Sequence, residues 1–241
     1  MVIIMENLLN TAYLLTDGLK YTLIIFFVTI ILSMPLGFLL TLARNSKIKI
    51  VSGITATYVW IMRGSPLMLQ LFFFLYGITF IPVINRIFVF DRLTAALVAF
   101  VLNYAAYFCG IFRGGLLAVD KGQYEAAKVL GLSKSQTFIK IVLPQMFRVA
   151  LPSISNECIT LLKDTALVTA IGITELMYFA KTSANNQVSA APYLVAAVFY
   201  LLMNLVLERL FAYLEKKYSF TKDTVPVQQR PKLFRKADKN I

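Results

Sequence analysis

Four polar side chains stand in or beside long apolar runs, where they could hold a small charged solute. Asn103 lies within one run, and Lys163, Asp164 and Thr165 follow another. Polar groups are costly at membrane depth, so they normally face a bundle interior, a cavity or each other. Lys163 and Asp164 together could hold the carboxylate and the ammonium of a zwitterion. Alternatively, they cap or pair locally at the outer end of their helix, and the sequence leaves both interpretations open.

Catalytic chemistry finds little support in the residue types. The chain has no histidine, which removes serine–histidine and cysteine–histidine pairs and the H-E-x-x-H metal site. It also lacks the Gly-x-x-x-x-Gly-Lys-Ser/Thr loop that cradles phosphates, so we expect no ATP site, metal or cofactor of its own. A serine–lysine or two-aspartate site is conceivable, but Asp164 is the only aspartate near an apolar run after Asp91. Cys109 and Cys158 lie in apolar segments and are expected to pack there.

A polar, basic stretch from Asp120 to Pro152 interrupts the apolar runs. Asp120 and Ser133 each precede a glutamine by three residues, which is the spacing of a capping box. Gly131 is placed to end a first helix in the left-handed conformation, and Pro144 to limit a second. We therefore predict two short helices joined by a tight corner.

The first of these helices carries small residues that would let it enter a partner's groove. Ala126 and Ala127 stand beside Tyr124 and Leu130. The alternative is a helix pair that lies on the bilayer or caps its own bundle, and spacing alone does not separate the two.

The composition is that of a polytopic membrane protein. Of the 241 residues, 59% are hydrophobic, the formal net charge is +12, and the charges cluster between apolar runs. We predict an all-α bundle, because backbone polar groups in lipid must find partners within their own helix. Pro66 and Pro152 predict kinks or offset helix starts in the second and fourth spans. The expected spans are five: about 21–43, 54–81, 93–111, 150–162 or 150–171, and 193–213.

Basic residues set the predicted orientation. Of the 24 Lys and Arg, 19 fall at Arg63, in the link after the first span, at Arg113, in the basic stretch or from Arg209 to the C-terminus, all of which should be cytoplasmic. We predict that residues 1–17 are extracytoplasmic, that 18–215 form the transmembrane domain, and that 216–241 form a basic cytoplasmic tail. The tail is expected to contact anionic lipid head groups, and no nucleic-acid partner is expected.

Several motifs, in consistent order and spacing, resemble one family. Glu125-Ala126-Ala127, Gly131 and Ile141-Val142-Leu143-Pro144 look like the EAA loop in permease subunits of bacterial ABC importers. Four further motifs are similar to the branch for histidine, glutamine, glutamate, arginine and cystine uptake: Arg63-Gly64-Ser65-Pro66-Leu67, the stretch 102–115, Gly122-Gln123, and Lys163-Asp164-Thr165-Ala166-Leu167. The resemblance covers about residues 18–209.

The resemblance implies a multi-pass permease subunit of an amino-acid importer in the bacterial cell membrane. In that family the loop, here 120–144, docks into a cleft on a separate ATPase subunit, which binds the ATP. An external solute-binding protein then delivers the solute, and a second permease, identical or not, completes the pathway. The residues implied in coupling to the ATPase are Gly122, Gln123, Glu125, Ala126, Ala127 and Gly131.

One departure from the family pattern bears on the solute. The branch usually reads A-Y-x-x-E-I-F-R-G-G, and this chain has Gly110 at the position of the glutamate. Its loss favours a neutral, acidic or disulfide-linked solute such as cystine over a cationic one, unless a partner permease supplies the acid. Arg63 and Arg113 are expected near the cytoplasmic face and are not predicted to bind solute. The alternative function is an ATP-independent channel or secondary carrier, which would need no coupling loop.

Overall fold

The structure, a computed structural model, describes residues 2–80 and 90–218, and within them every regular element is helical. A π turn, Phe138–Val142, and 3-10 turns at Gly77–Phe80 and Thr165–Ile171 interrupt or extend the helices. The α-helices are α1 Val2–Arg44, α2 Lys49–Gly64, α3 Leu67–Leu75, α4 Arg92–Leu117, α5 Lys121–Val129, α6 Lys134–Thr137, α7 Leu143–Asp164, α8 Leu176–Gln187 and α9 Ala191–Tyr218.

Four helical stretches are long and apolar enough to cross a membrane: Leu8–Arg44, Arg92–Leu117, Lys134–Ile171 and Ala191–Tyr218. The pair α2 and α3, bent by 104° at a short break, makes a fifth if it counts as one span. The predicted all-α bundle of about five spans is confirmed. The predicted end of the second span at Ile81 and most of the basic tail lie outside the described residues.

The break between α2 and α3 follows from Pro66. The residue before it, Ser65, is extended, as a residue before proline prefers (φ −113°, ψ 144°). Proline has no N–H, so the carbonyl of Met62, four residues earlier, loses its helical donor. The side-chain amides of Gln70 and Asn103 donate to that carbonyl instead, at 2.9 and 3.0 Å. A long-range contact from α4 therefore stabilises the predicted discontinuity.

Helix α4 forms the centre of the bundle. Its residues Phe100, Tyr104, Phe108 and Phe112 recur every four positions and are buried. Helix α1 lies against it so closely that a Cβ on Gly37 would come within 2.6 Å of the Phe108 Cβ.

Helix α7 is longer than predicted and is continuous with the basic stretch. Pro144 does not end the second short helix, because it occupies the first turn of α7, where a missing N–H is tolerated. The π turn before it carries the chain from α6 into α7 without a corner. The prediction that Pro144 limits a separate helix is therefore wrong.

Helix α8 was not expected. It begins at Glu175, whose buried carboxylate accepts a hydrogen bond from the Tyr178 backbone N–H at 2.8 Å. The hydroxyl of Tyr200, in α9, donates to the same carboxylate at 3.1 Å, and that of Thr169 also donates to it. A Cβ on Gly18 would lie 2.7 Å from the Glu175 backbone, so α1 packs directly against this turn.

Candidate functional site

A cavity of about 430 Å³ lies where the α2–α3 break faces α4 and α7. Arg63 lines it from the end of α2, and Glu157 and Asp164 line it from α7. Tyr104 and Tyr107 of α4 form the aromatic part of the wall. The cavity therefore places one cation and two acids around a space of small-molecule size.

Arg63 lines this cavity and lies against α4. Its guanidinium lies over the Tyr107 ring, with the Arg63 Cζ 5.1 Å from the ring centroid, which is a cation–π distance. A Cβ at Gly110 would lie 2.9 Å from the Arg63 Nη1. Gly110 is seven residues, or about 10 Å, from the end of α4 at Leu117. The absent side chain at Gly110 thus makes room for Arg63, which is a candidate ligand that the sequence analysis had set aside.

The two acids lie on one face of α7. Asp164 accepts a hydrogen bond from the Tyr104 hydroxyl at 2.7 Å, which fixes one of its oxygens. Glu157 lies seven residues, about two turns, before it, and Thr160 lines the wall between them. This i, i+3, i+7 spacing was the sequence signal that could have identified Glu157 and Thr160.

Two of the four predicted solute ligands reach the cavity wall. Asp164 does so directly, and Asn103 does so with its amide nitrogen engaged by Met62 O and Gln70 Oε1, each at 3.0 Å. Thr165 is buried and donates to the Leu162 carbonyl at 2.7 Å. Lys163 is exposed and is not part of the wall. The structure therefore brings Asn103 and Asp164 together and leaves Lys163 and Thr165 apart from them.

In the basic stretch the structure has the predicted helix starts at Asp120 and Ser133 and the predicted helix end at Gly131, while α6 continues into α7. Asp120 accepts from the Gly122 backbone N–H at 2.7 Å and begins α5. Ser133 and Gln136 form a complete capping box at the start of α6, with bonds of 2.9 and 3.3 Å. Gly131 adopts φ +73°, the left-handed conformation expected of a helix-ending glycine.

The capping box expected at Asp120 does not form in full. The Gln123 side-chain oxygen accepts from Gln145 Nε2, at 3.2 Å, instead of from the Asp120 backbone. This contact joins α5 to the start of α7, 22 residues further along the chain. The longer-range partner lies on the helix that also carries the cavity acids.

Helix α5 presents most of its surface outward. Ala127 is 1% exposed and faces the bundle, whereas every other residue of α5 is exposed. At its end Val129 and Leu130 are 87% and 75% exposed, with Tyr124 nearby at 41%. Exposed apolar side chains beside polar ones are typical of a protein-binding surface. Five of the six predicted coupling residues lie on the open side: Gly122, Gln123, Glu125, Ala126 and Gly131.

Comparisons with known proteins agree with this architecture. Residues 33–220 match the model of the family described as "Binding-protein-dependent transport system inner membrane component". The chain is 37% identical to the arginine transport system permease protein ArtQ of Bacillus subtilis, over 83% of this chain and 90% of ArtQ. It is also 37% identical to the L-cystine transport system permease protein TcyB of the same organism, over 68% of each chain. A crystal structure of an amino acid ABC transporter with histidines superposes with a TM-score of 0.78 at 29% identity, covering 87% of this chain and 96% of that one.

Proposed function

This chain belongs to the family of binding-protein-dependent transport system inner membrane components, and on that premise we propose how it binds its solute and couples to ATP. It is a multi-pass membrane protein and the permease subunit of an ABC importer for amino acids. Its partner is an ABC ATPase, which holds the ATP. The alternative of an ATP-independent channel or carrier finds no support among its relatives.

The solute site is the cavity between Arg63 and the two acids of α7. A zwitterionic amino acid fits this charge pattern, with its carboxylate on the guanidinium and its ammonium on Glu157 or Asp164. The opposite charges on facing helices are the observation that carries this assignment. In this arrangement Arg63 takes the role that the sequence suggested for Lys163. Asn103 contributes its side-chain oxygen, because its amide hydrogens already hold the α2–α3 break.

The solute class follows from Gly110. With no acid at this position, the guanidinium of Arg63 occupies the space beside α4. A second cationic group on the Arg63 side of the cavity would meet this guanidinium and be repelled. We therefore assign neutral amino acids, including disulfide-linked ones such as cystine, as the solutes.

Coupling to ATP proceeds through α5. Its exposed apolar end, Val129 and Leu130, enters the cleft of the ATPase, and the Ser133 capping box keeps the corner stiff. From Lys134 the helical stretch runs to Ile171 and carries both cavity acids. A displacement of α5 therefore moves Glu157 and Asp164 relative to Arg63, which opens and closes the solute site.

A second permease copy completes the pathway. Helix α7 exposes Ser153, Asn156, Thr160 and Lys163 along one side. Such a polar side is costly against lipid, so another protein surface covers it. We assign that surface to a second permease, with the N-terminus and the solute-binding protein outside and the tail inside.

The solute assignment is tested with the intact transporter in proteoliposomes. ATP-driven uptake is measured for labelled glutamine, cystine, glutamate and arginine, with the solute-binding protein present. Preference for glutamine or cystine supports the assignment, and loss of that uptake in Glu157→Gln but not in Lys163→Gln locates the site. Preference for arginine, or equal loss in both variants, would refute it.

A further inference from the structure

A second cavity, of about 380 Å³, lies beside the solute cavity and shares Arg63, Gly64 and Tyr107 with it. Arg44, the last residue of α1, also lines it. Arg63 therefore stands between two cavities. The remaining wall of the second one consists of Ala56, Val59 and Trp60 on α2.

The two cavities differ in charge. The solute cavity has one guanidinium and two carboxylates, whereas the second has two guanidiniums, Arg44 and Arg63, and no acidic residue in its wall. Guanidinium groups bind carboxylate and phosphate oxygens in a bidentate geometry, with two parallel N–H···O bonds. The second cavity is therefore suited to an anion and not to a whole zwitterion.

We propose that Arg44 and Arg63 form an oxyanion-binding site in this second cavity. The proposal rests on the proposed function, since it takes the end of α1 to lie on the inner side. Arg44 leads directly into the basic link with Lys47 and Lys49. A group held at Arg63 can thus move to Arg44 on its way to the inner surface.

Two sources could supply the oxyanion. One is the carboxylate of an amino acid leaving the solute cavity, which passes from Arg63 to Arg44. The other is the phosphate of an anionic phospholipid at the basic link, with its acyl chain along α2. Trp60, which is 74% exposed, lies eleven residues or about 16 Å beyond Lys49, at the depth of an acyl chain. The chemistry recognised at Arg44 is the same in both cases.

The chain contains one tryptophan, and it lines this cavity. Trp60 emission can therefore report occupancy in the full-length protein in phosphatidylcholine nanodiscs. In the first arm, acetate is titrated against acetamide at constant ionic strength. In the second, brominated phosphatidylglycerol is compared with brominated phosphatidylcholine as a quencher. A response to acetate but not acetamide identifies the carboxylate source, and extra quenching by the anionic lipid identifies the phosphate source.

Arg44→Gln should raise about tenfold the concentration of acetate or anionic lipid that gives half of the emission change, because one charged partner is lost. Lys181→Gln, which removes an exposed cation on α8 outside the cavity wall and the basic link, should leave it unchanged. An unchanged helical circular dichroism spectrum shows that a variant is folded. If Arg44→Gln fails to fold, Arg44→Lys replaces it, with a weaker response expected because the bidentate geometry is lost.

No response in either arm, or equal responses with and without Arg44, would overturn the proposal. Arg44 would then serve only to stabilise the carboxyl end of α1. If ATP-driven uptake is normal but neither acetate nor the anionic lipid gives a response, the oxyanion site is contradicted and the proposed transport function is not. A clear response in a complex that imports no amino acid contradicts the proposed function and leaves the site standing.

Discussion

The basic stretch and the solute cavity are built in opposite ways. In the basic stretch, α5 and α6 are begun and ended by neighbours in sequence: Asp120, Gly131, Ser133 and Gln136. In the cavity, Arg63, Tyr104 and Asp164 come from three different helices. The first region is thus set by local rules and the second by packing, which means that mutations should disturb them differently.

Coupling should fail most completely when the corner of the basic stretch is enlarged. Gly131→Trp places a bulky residue at φ +73°, where a side chain costs about 1–2 kcal/mol, and it adds volume beside the docking surface. We expect uptake to fall to background while basal ATP hydrolysis by the assembled complex persists. Uptake and hydrolysis are measured in the same proteoliposomes.

Gly131→Asn is the matched control, since asparagine tolerates the left-handed conformation. It should retain most of the uptake. Normal uptake by Gly131→Trp in a complex that still contains its ATPase would show that the corner does not couple the two subunits.

Mutations in the cavity wall should lower the affinity for solute and leave the assembly of the complex intact. Arg63→Gln removes a charge-assisted hydrogen bond worth about 1.5–3 kcal/mol, so kcat/KM for uptake should fall about 10- to 100-fold. The complex should still purify intact with its ATPase. Lys163→Gln, on the same helix end as Asp164 but off the wall, should change uptake little; an equal loss in both variants would place the solute elsewhere.

The capping box should matter for local stability. Ser133→Ala removes its side-chain bond and should cost about 1 kcal/mol. We expect faster backbone hydrogen exchange confined to α6 and the corner, with a modest loss of uptake. Ser135→Ala, two residues after the cap and within α6, is the control. Increased exchange around the cavity at 157–164 would show that the two regions are not locally independent.

The smallest change is expected at Gly110. Its added Cβ in Gly110→Ala would meet only the flexible end of Arg63, at 2.9 Å, so the guanidinium should shift by a few tenths of an ångström. We expect KM for uptake to rise a few-fold, with kcat unchanged. Gly114→Ala, where an added Cβ meets nothing within 4 Å, should have no such effect. Identical kinetics for the two variants would contradict the role assigned to Gly110.

Local signals could be read from the sequence because their partners are a few residues apart. The Ser133–Gln136 box, the left-handed Gly131 and the break at Pro66 all depend on short spacing, and all were predicted. The apolar runs likewise predicted the spans, because length and composition decide them.

Long-range partners could not be read in the same way. Gln123 was expected to bond within its own turn, but Gln145 competes for its oxygen from 22 residues away. The position of Arg63 depends on the missing side chain at Gly110, on another helix. Helix α8 is only twelve residues long, and its start depends on Glu175 meeting hydroxyls from other elements. These features arise from packing, which a single sequence does not display.

The π turn at Phe138–Val142 holds one residue more than an α-helical turn would. Deleting a single residue there, such as Lys140, would restore the ordinary register and rotate α5 and α6 by about 100° about the axis of α7. The exposed side of α5 would then point in a different direction relative to the bundle. The orientation of α5 toward the ATPase therefore depends on the number of residues in this one helical turn. A related permease whose sequence lacks one residue here should hold α5 at a different angle.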